Sequence, residues 1–166
     1  LAVMGTGGLV AHPVAQPAGK NARELCLSGG NWSVQRASEV AGNGEAISQA
    51  GFPTAGWIPA TVPGTVLSSY INIGAVPHPN FANNQVNISE AFFWSNFWYR
   101  NEFDVPAGFR QERAFLNFDG INWKANIFLN GQAVGRIEGA FKRGIFDVTD
   151  LLKEGTNVLA VEIVRN

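Results

Sequence analysis

Six aromatic side chains crowd into eight residues at Phe92-Phe93-Trp94-Ser95-Asn96-Phe97-Trp98-Tyr99. An aromatic face stacks on the apolar C–H face of a sugar ring, provided the ring's hydroxyls find polar partners around the contact. A two-residue period sends these side chains to both faces of a strand, so most of them must be core. Trp94 and Trp98 are the two expected near a surface. A second cluster, Asn80-Phe81-Ala82-Asn83-Asn84-Gln85, offers amides that donate and accept at once, which suits paired sugar hydroxyls. Ordinary turn chemistry accounts for the same composition equally well.

A self-contained active site is harder to assemble. The two histidines, His12 and His78, have neither helical-pair nor cysteine spacing for a metal. His78, within Pro77-His78-Pro79, reads as a surface loop residue. There is no Gly-x-Ser-x-Gly elbow, phosphate loop or dinucleotide fingerprint. Glycosidic hydrolysis needs two carboxyl groups roughly 5–10 Å apart, one kept protonated by its surroundings. Glu90, Glu102, Asp104, Asp119, Glu138, Asp147, Asp150 and Glu162 are instead scattered through strand and turn positions. They read as solvated or turn-capping groups. No catalytic residue, metal site or cofactor is therefore expected of this chain.

The elements that would carry these residues are short. Leu25–Leu27 and Trp32–Val34 flank a Ser-Gly-Gly-Asn turn and read as strand, turn, strand. Residues 41–56 read as loop, and 57–62 as an extended edge piece held there by Pro59. Thr65 can cap a short helix near 65–73 that ends at Gly74. Residues 75–91 form a second long loop, of a kind that often carries function. Phe97, Tyr99, Phe103 and Val105 then alternate with Trp98, Arg100, Glu102 and Asp104. Ala114–Phe118 reads as a strand covered on both faces. Residues 124–129 and 132–137 flank Asn130-Gly131, a strong hairpin signal. Gly144–Val148 leads to Thr149, a cap for one turn, and 157–164 is a last strand. This all-β pattern predicts an antiparallel sandwich or jelly roll.

Composition agrees. Of 166 residues 46% are hydrophobic and 15% charged, with 12 basic against 13 acidic side chains. A near-neutral chain without basic runs lacks the footprint of a nucleic-acid binder, and no stretch reaches the length of a membrane span. Cys26, the single cysteine, excludes an intrachain disulfide and reads as a buried, inert thiol. Residues 1–22 read as a tail or leader remnant, with a periplasmic or secreted location, and 23–166 as one domain. A chain ending on an apolar strand suggests a sandwich truncated there, with an unpaired edge. Asn31-Trp32-Ser33 and Asn87-Ile88-Ser89 are formal glycosylation sequons that read as chance occurrences.

Taken in order, several segments form a recognisable series. They are Val62-Pro63-Gly64-Thr65-Val66-Leu67, Ile73–Asn80, Asn84-Gln85 and Phe97-Trp98-Tyr99-Arg100 with Phe103. Phe118–Asn126, Leu129-Asn130-Gly131, Glu138–Phe141, Phe146–Thr149 and Asn157–Val161 continue it. The series resembles the N-terminal sugar-binding domain of family 2 glycoside hydrolases, and its β-mannosidase and exo-β-glucosaminidase branch most. The resemblance implies a galactose-binding-like jelly roll. It also implies a parent retaining exo-glycosidase acting on a β-linked oligosaccharide or glycoside. Downstream immunoglobulin-like and (β/α)8 barrel domains would follow, the barrel holding both catalytic glutamates. The N-terminal domain would lend that pocket a loop, by position near Asn83-Asn84-Gln85. An autonomous carbohydrate-binding module and a structural docking sandwich are the competing readings.

Overall fold

The computed structural model describes residues 24–109 and 113–165. The expected tail at 1–22, with His12, lies outside the described residues. Among the described residues, eight strands and three one- or two-turn helices follow one another. They are β1 (Trp32–Arg36), α1 (Gly44–Ile47), β2 (Ile58–Pro59), α2 (Val66–Asn72), α3 (Asn84–Asn87), β3 (Phe97–Val105), β4 (Phe115–Phe118), β5 (Lys124–Leu129), β6 (Gln132–Glu138), β7 (Gly144–Asp147) and β8 (Gly155–Val164). Short 3-10 turns at Ala37–Glu39 and Glu90–Phe93 complete the set.

One sheet has the order β2-β1-β3-β8-β5-β6 and a smaller one pairs β4 with β7. All pairings are antiparallel. Alternation on the large sheet is what makes the core. Val34, Tyr99, Val161 and Ile127 stand side by side in register, with Arg36, Phe97, Ile163, Ala125 and Ile137 in the next such row. Their inward side chains, with Leu129 and Leu159, form the main cluster, onto which Leu116, Phe118 and Phe146 pack from the small sheet. Each fully buried Val, Leu or Ile here contributes about 1.5–3 kcal/mol relative to exposure. The sheets approach closely at Gly135 and Gly144, where a Cβ would sit 2.5 Å from Phe146 Cε1 and 2.4 Å from Ile137 Cδ1. A larger residue at either position would force those side chains to move.

The outer face of the large sheet is partly covered too. Ile47, Phe52 and Trp57 lie over Trp98, Ala160 and Phe128 as a second apolar cluster. Arg100, 5% exposed, pins this cover. Its Nε donates to the Ile47 carbonyl and its Nη2 to the Gln49 carbonyl, each at 2.9 Å. Nη2 also pairs with Glu102.

Several expectations hold. β3, the β5–β6 hairpin and the edge position of β2 are as read. Asn130 and Gly131 take φ of 51° and 84°. Thr65 accepts from the Ser68 N–H in a full capping box, and α2 ends before Gly74 at φ 75°. Others are corrected. Leu25–Leu27 is not a strand: the Leu27 carbonyl accepts the Trp32 indole N–H at 2.6 Å, and Cys26 is exposed rather than buried. The single expected helix becomes three, because 41–56 contains α1, capped by Asn43, and 75–91 contains α3. β4 has one open face, with Phe115 47% exposed. The Thr149 hydroxyl also ties two strands together, accepting from the Ala114 N–H and donating to Asp147. Finally, β8 is no unpaired edge, since it lies between β3 and β5.

Candidate functional site

Register decides which loops meet. Arg36 pairs with Phe97, Phe97 with Ile163, Val164 with Lys124, Lys124 with Glu138, and Phe118 with Gly144. One end of the sandwich therefore gathers 73–96, 119–123, 139–143 and Arg165. Phe81 (73%), Val86 (82%), Trp94 (60%), Trp123 and Phe141 (102%) are all exposed on those segments. Four aromatic rings and Val86 thus stand uncovered on these segments.

The 73–96 segment is anchored at its exit. Arg36 Nη2 donates to the Phe92 carbonyl at 3.0 Å, its guanidinium lies 4.0 Å over the Phe92 ring, and Tyr70 meets the same ring edge-on at 4.7 Å. Asn83, Asn84 and Gln85 sit at the start of α3. Asn83 and Gln85 are exposed and Asn84 half-buried. Asn84 Nδ2 donates to the His78 carbonyl at 3.0 Å, while His78 Nδ1 accepts from the Asn80 N–H at 3.3 Å. Asn83 makes no side-chain cap bond. The Asn84 amide is thus held in place, while the Asn83 and Gln85 side chains face solvent.

The two tryptophans part company. Trp98 is 6% exposed and packs on Phe128 at 5.8 Å between centroids. Strand parity does send it outward, but the 43–57 segment covers that side, so Trp98 is core and offers no stacking face. Trp94 stays open, with the Arg165 guanidinium 5.2 Å from its ring. Below it runs a chain of polar bonds that sequence reading missed. The Arg165 N–H donates to Asn96 Oδ1 at 2.9 Å, and Asn96 Nδ2 donates to Glu162 Oε1 at 2.9 Å. Asn126 Nδ2 donates to Glu162 Oε2 at 2.9 Å. Alternation puts Asn126 and Glu162 on one face, but only the β5–β8 register makes them neighbours.

Electrostatics at this end do not prepare an acid. Glu138 is held below the usual carboxylate range by a hydrogen bond from Lys124, helped by the charges of Arg136, Lys124 and Lys142. Asp147, at the opposite end, falls to about 2 through the Thr149 hydroxyl and the Arg113 guanidinium. Both shifts favour the charged form, whereas a general acid needs the reverse. Two shallow grooves lie elsewhere. One is lined by Arg113, Gln132, Asp147 and Thr149, the other by Ser33, Thr54, Arg100, Glu102, Asp104 and Thr156. Neither includes an expected site residue, and no cluster of three metal-ligating side chains occurs among the described residues. Nor is any described helix long and apolar enough to cross a membrane.

Known proteins resemble this chain in sequence and fold. The exo-β-D-glucosaminidase of Streptomyces avermitilis is 34% identical over 138 residues, covering 81% of this chain and 15% of that protein. The crystal structure of the Amycolatopsis orientalis exo-chitosanase superposes with a TM-score of 0.74 at 30% identity, over 81% of this chain and 16% of that one. A β-D-mannosidase from Dictyoglomus thermophilum gives 0.68 at 28%, over 84% and 15%. The chain thus spans about one-sixth or less of these relatives. The model of the glycosyl hydrolase 2 galactose-binding domain-like family matches residues 32–166, from the first residue of β1 through the whole of both sheets. By that match and by its antiparallel sandwich, the chain belongs to that family.

Proposed function

We propose that this chain is the non-catalytic, sugar-facing accessory domain of an exo-acting family 2 glycoside hydrolase. Its parent hydrolyses β-mannosides or β-glucosaminides in carbohydrate metabolism. The catalytic glutamates belong to a downstream (β/α)8 barrel, reached through an immunoglobulin-like domain. Asn83, Asn84 and Gln85 lend hydrogen-bonding groups to the rim of that barrel's pocket, and the exposed Phe81 beside them seals the contact. A periplasmic or secreted location is part of the proposal.

One observation carries it. The sandwich gathers exposed aromatics and amides at a single end, while both shifted carboxyls among the described residues are held ionised. Such an end can orient a sugar or cover a pocket, and its Glu138 is held in the charged form, the reverse of what a general acid needs. The relatives' names, exo-β-D-glucosaminidase and β-D-mannosidase, support the choice of substrate class.

The test is direct. Incubated with aryl β-mannoside or aryl β-glucosaminide, the chain should release no phenol above buffer. Release abolished by substituting one of its carboxylates would overturn the reading. The reading frame beyond Asn166 should encode a barrel with two strand-end glutamates.

A further inference from the structure

We infer that the outer face of the large sheet carries a second sugar contact, a strip beside Trp94 that takes a β-linked hexose or hexosamine ring. The inference rests on the reading that the chain serves a sugar-hydrolysing protein, but it concerns a different surface from the Asn83–Gln85 rim.

Outward-facing residues of this sheet fall into rows across the strands. The row Gln35, Trp98, Glu162, Asn126 and Arg136 is set by register. The 43–57 segment covers its Gln35 and Trp98 part and leaves Glu162 and Asn126 half-exposed and Arg136 open. The next row toward the loop end holds Val164, Lys124 and Glu138, with Asn96 just before β3. The strip is therefore polar apart from Val164, and Trp94, two residues before Asn96, holds the Arg165 guanidinium over one part of its exposed ring at 5.2 Å.

Its central group is prepared to accept. Glu162 receives one amide N–H on each carboxylate oxygen, from Asn96 and from Asn126. A carboxylate has about four lone-pair sites, so each oxygen keeps one for an incoming donor. Both amides fix its orientation before any ligand arrives, which lowers the entropic cost of binding. The neighbouring cations do not neutralise it, because Lys124 and Arg136 both pair with Glu138, at 3.0 and 2.7 Å. Trp94, 60% exposed beside Arg165, supplies the apolar platform. A fixed acceptor beside an open aromatic face matches two vicinal hydroxyls, or a hydroxyl and an ammonium, on a ring stacked by its C–H face. Neutral and amino sugars share that chemistry.

Titration of the chain with a β-1,4-linked mannose oligomer and a β-1,4-linked glucosamine oligomer, read by tryptophan fluorescence and amide NMR, tests this. Saturable millimolar binding is expected, with shifts at Asn96, Asn126 and Glu162. Trp94→Ala, exposed and so harmless to folding, should weaken it roughly tenfold, as losing one stacking contact would. Ile145→Ala, exposed on the small sheet, should leave it unchanged. Tighter binding of the glucosamine oligomer assigns an ammonium to Glu162, and equal binding assigns hydroxyls. No saturable shift with either oligomer, or binding indifferent to Trp94→Ala, overturns the inference. Such a failure leaves the accessory-domain reading standing, because that reading depends on the absence of turnover and on the downstream frame.

Discussion

Replacing Arg100 with methionine removes the pin that holds the 43–57 segment on the sheet and keeps most of the aliphatic stem. Two backbone carbonyls, those of Ile47 and Gln49, lose charge-assisted bonds of 2.9 Å. Such bonds contribute about 1.5–3 kcal/mol each. The pair with Glu102 adds less, because that carboxylate is 45% exposed and screened. Against this, a guanidinium no longer has to be desolvated, a cost of several kcal/mol that the native bonds offset. The net loss should be about 2–4 kcal/mol, or roughly 4–16 °C in Tm for a domain of this size. Arg100→Lys should recover only part, since one ammonium cannot span both carbonyls and Glu102. Thermal unfolding by circular dichroism measures the loss, and hydrogen exchange across residues 44–52 locates it. A Tm within about 2 °C of the parent, with exchange at 44–52 unaltered, would refute the reasoning.

The two tryptophans should separate in a stability assay. Trp98→Ala opens a cavity among Ile47, Ala160 and Phe128 and should cost about 3–5 kcal/mol, whereas Trp94→Ala should stay under about 1 kcal/mol in urea unfolding. Asp147 makes stability depend on acid. Its folded pKa of about 2 lies below the ordinary 3.8, so the unfolded chain binds the proton more readily between those values. Stability present above about pH 4 should therefore fall as pH drops toward 2, and Asp147→Asn should flatten that slope in acid titrations of Tm.

Much of the architecture was legible because local rules and tertiary packing agree. Asn130-Gly131 tolerates the positive φ its turn needs, Thr65 finds its capping partner three residues on, and β3 alternates as a strand must. What stayed hidden depends on segments far apart in sequence. Trp98 has outward parity, and parity says nothing about the 43–57 cover that buries it. Cys26 lies in an apolar tripeptide that forms no strand, so hydropathy alone placed it wrongly. α1 and α3 are single turns, too short to show a helical period. At the site, Trp94 and the amides could be read as sugar-binding types. Glu162, Asn96, Asn126 and Arg165 could not, because their meeting depends on a register across three strands and the residues flanking them.

The place of β8 sets the order in which the molecule can be made. β3 finds its long partner only when residues 155–163 are available, some fifty positions later. Until then β3 has only the short β1 on one side, and Val105 has no strand partner at all. Loop closure over that span precedes the reward of pairing, which slows folding and lengthens exposure of sticky intermediates. Production of this chain in a cell should accordingly respond to lower growth temperature and to holdase chaperones.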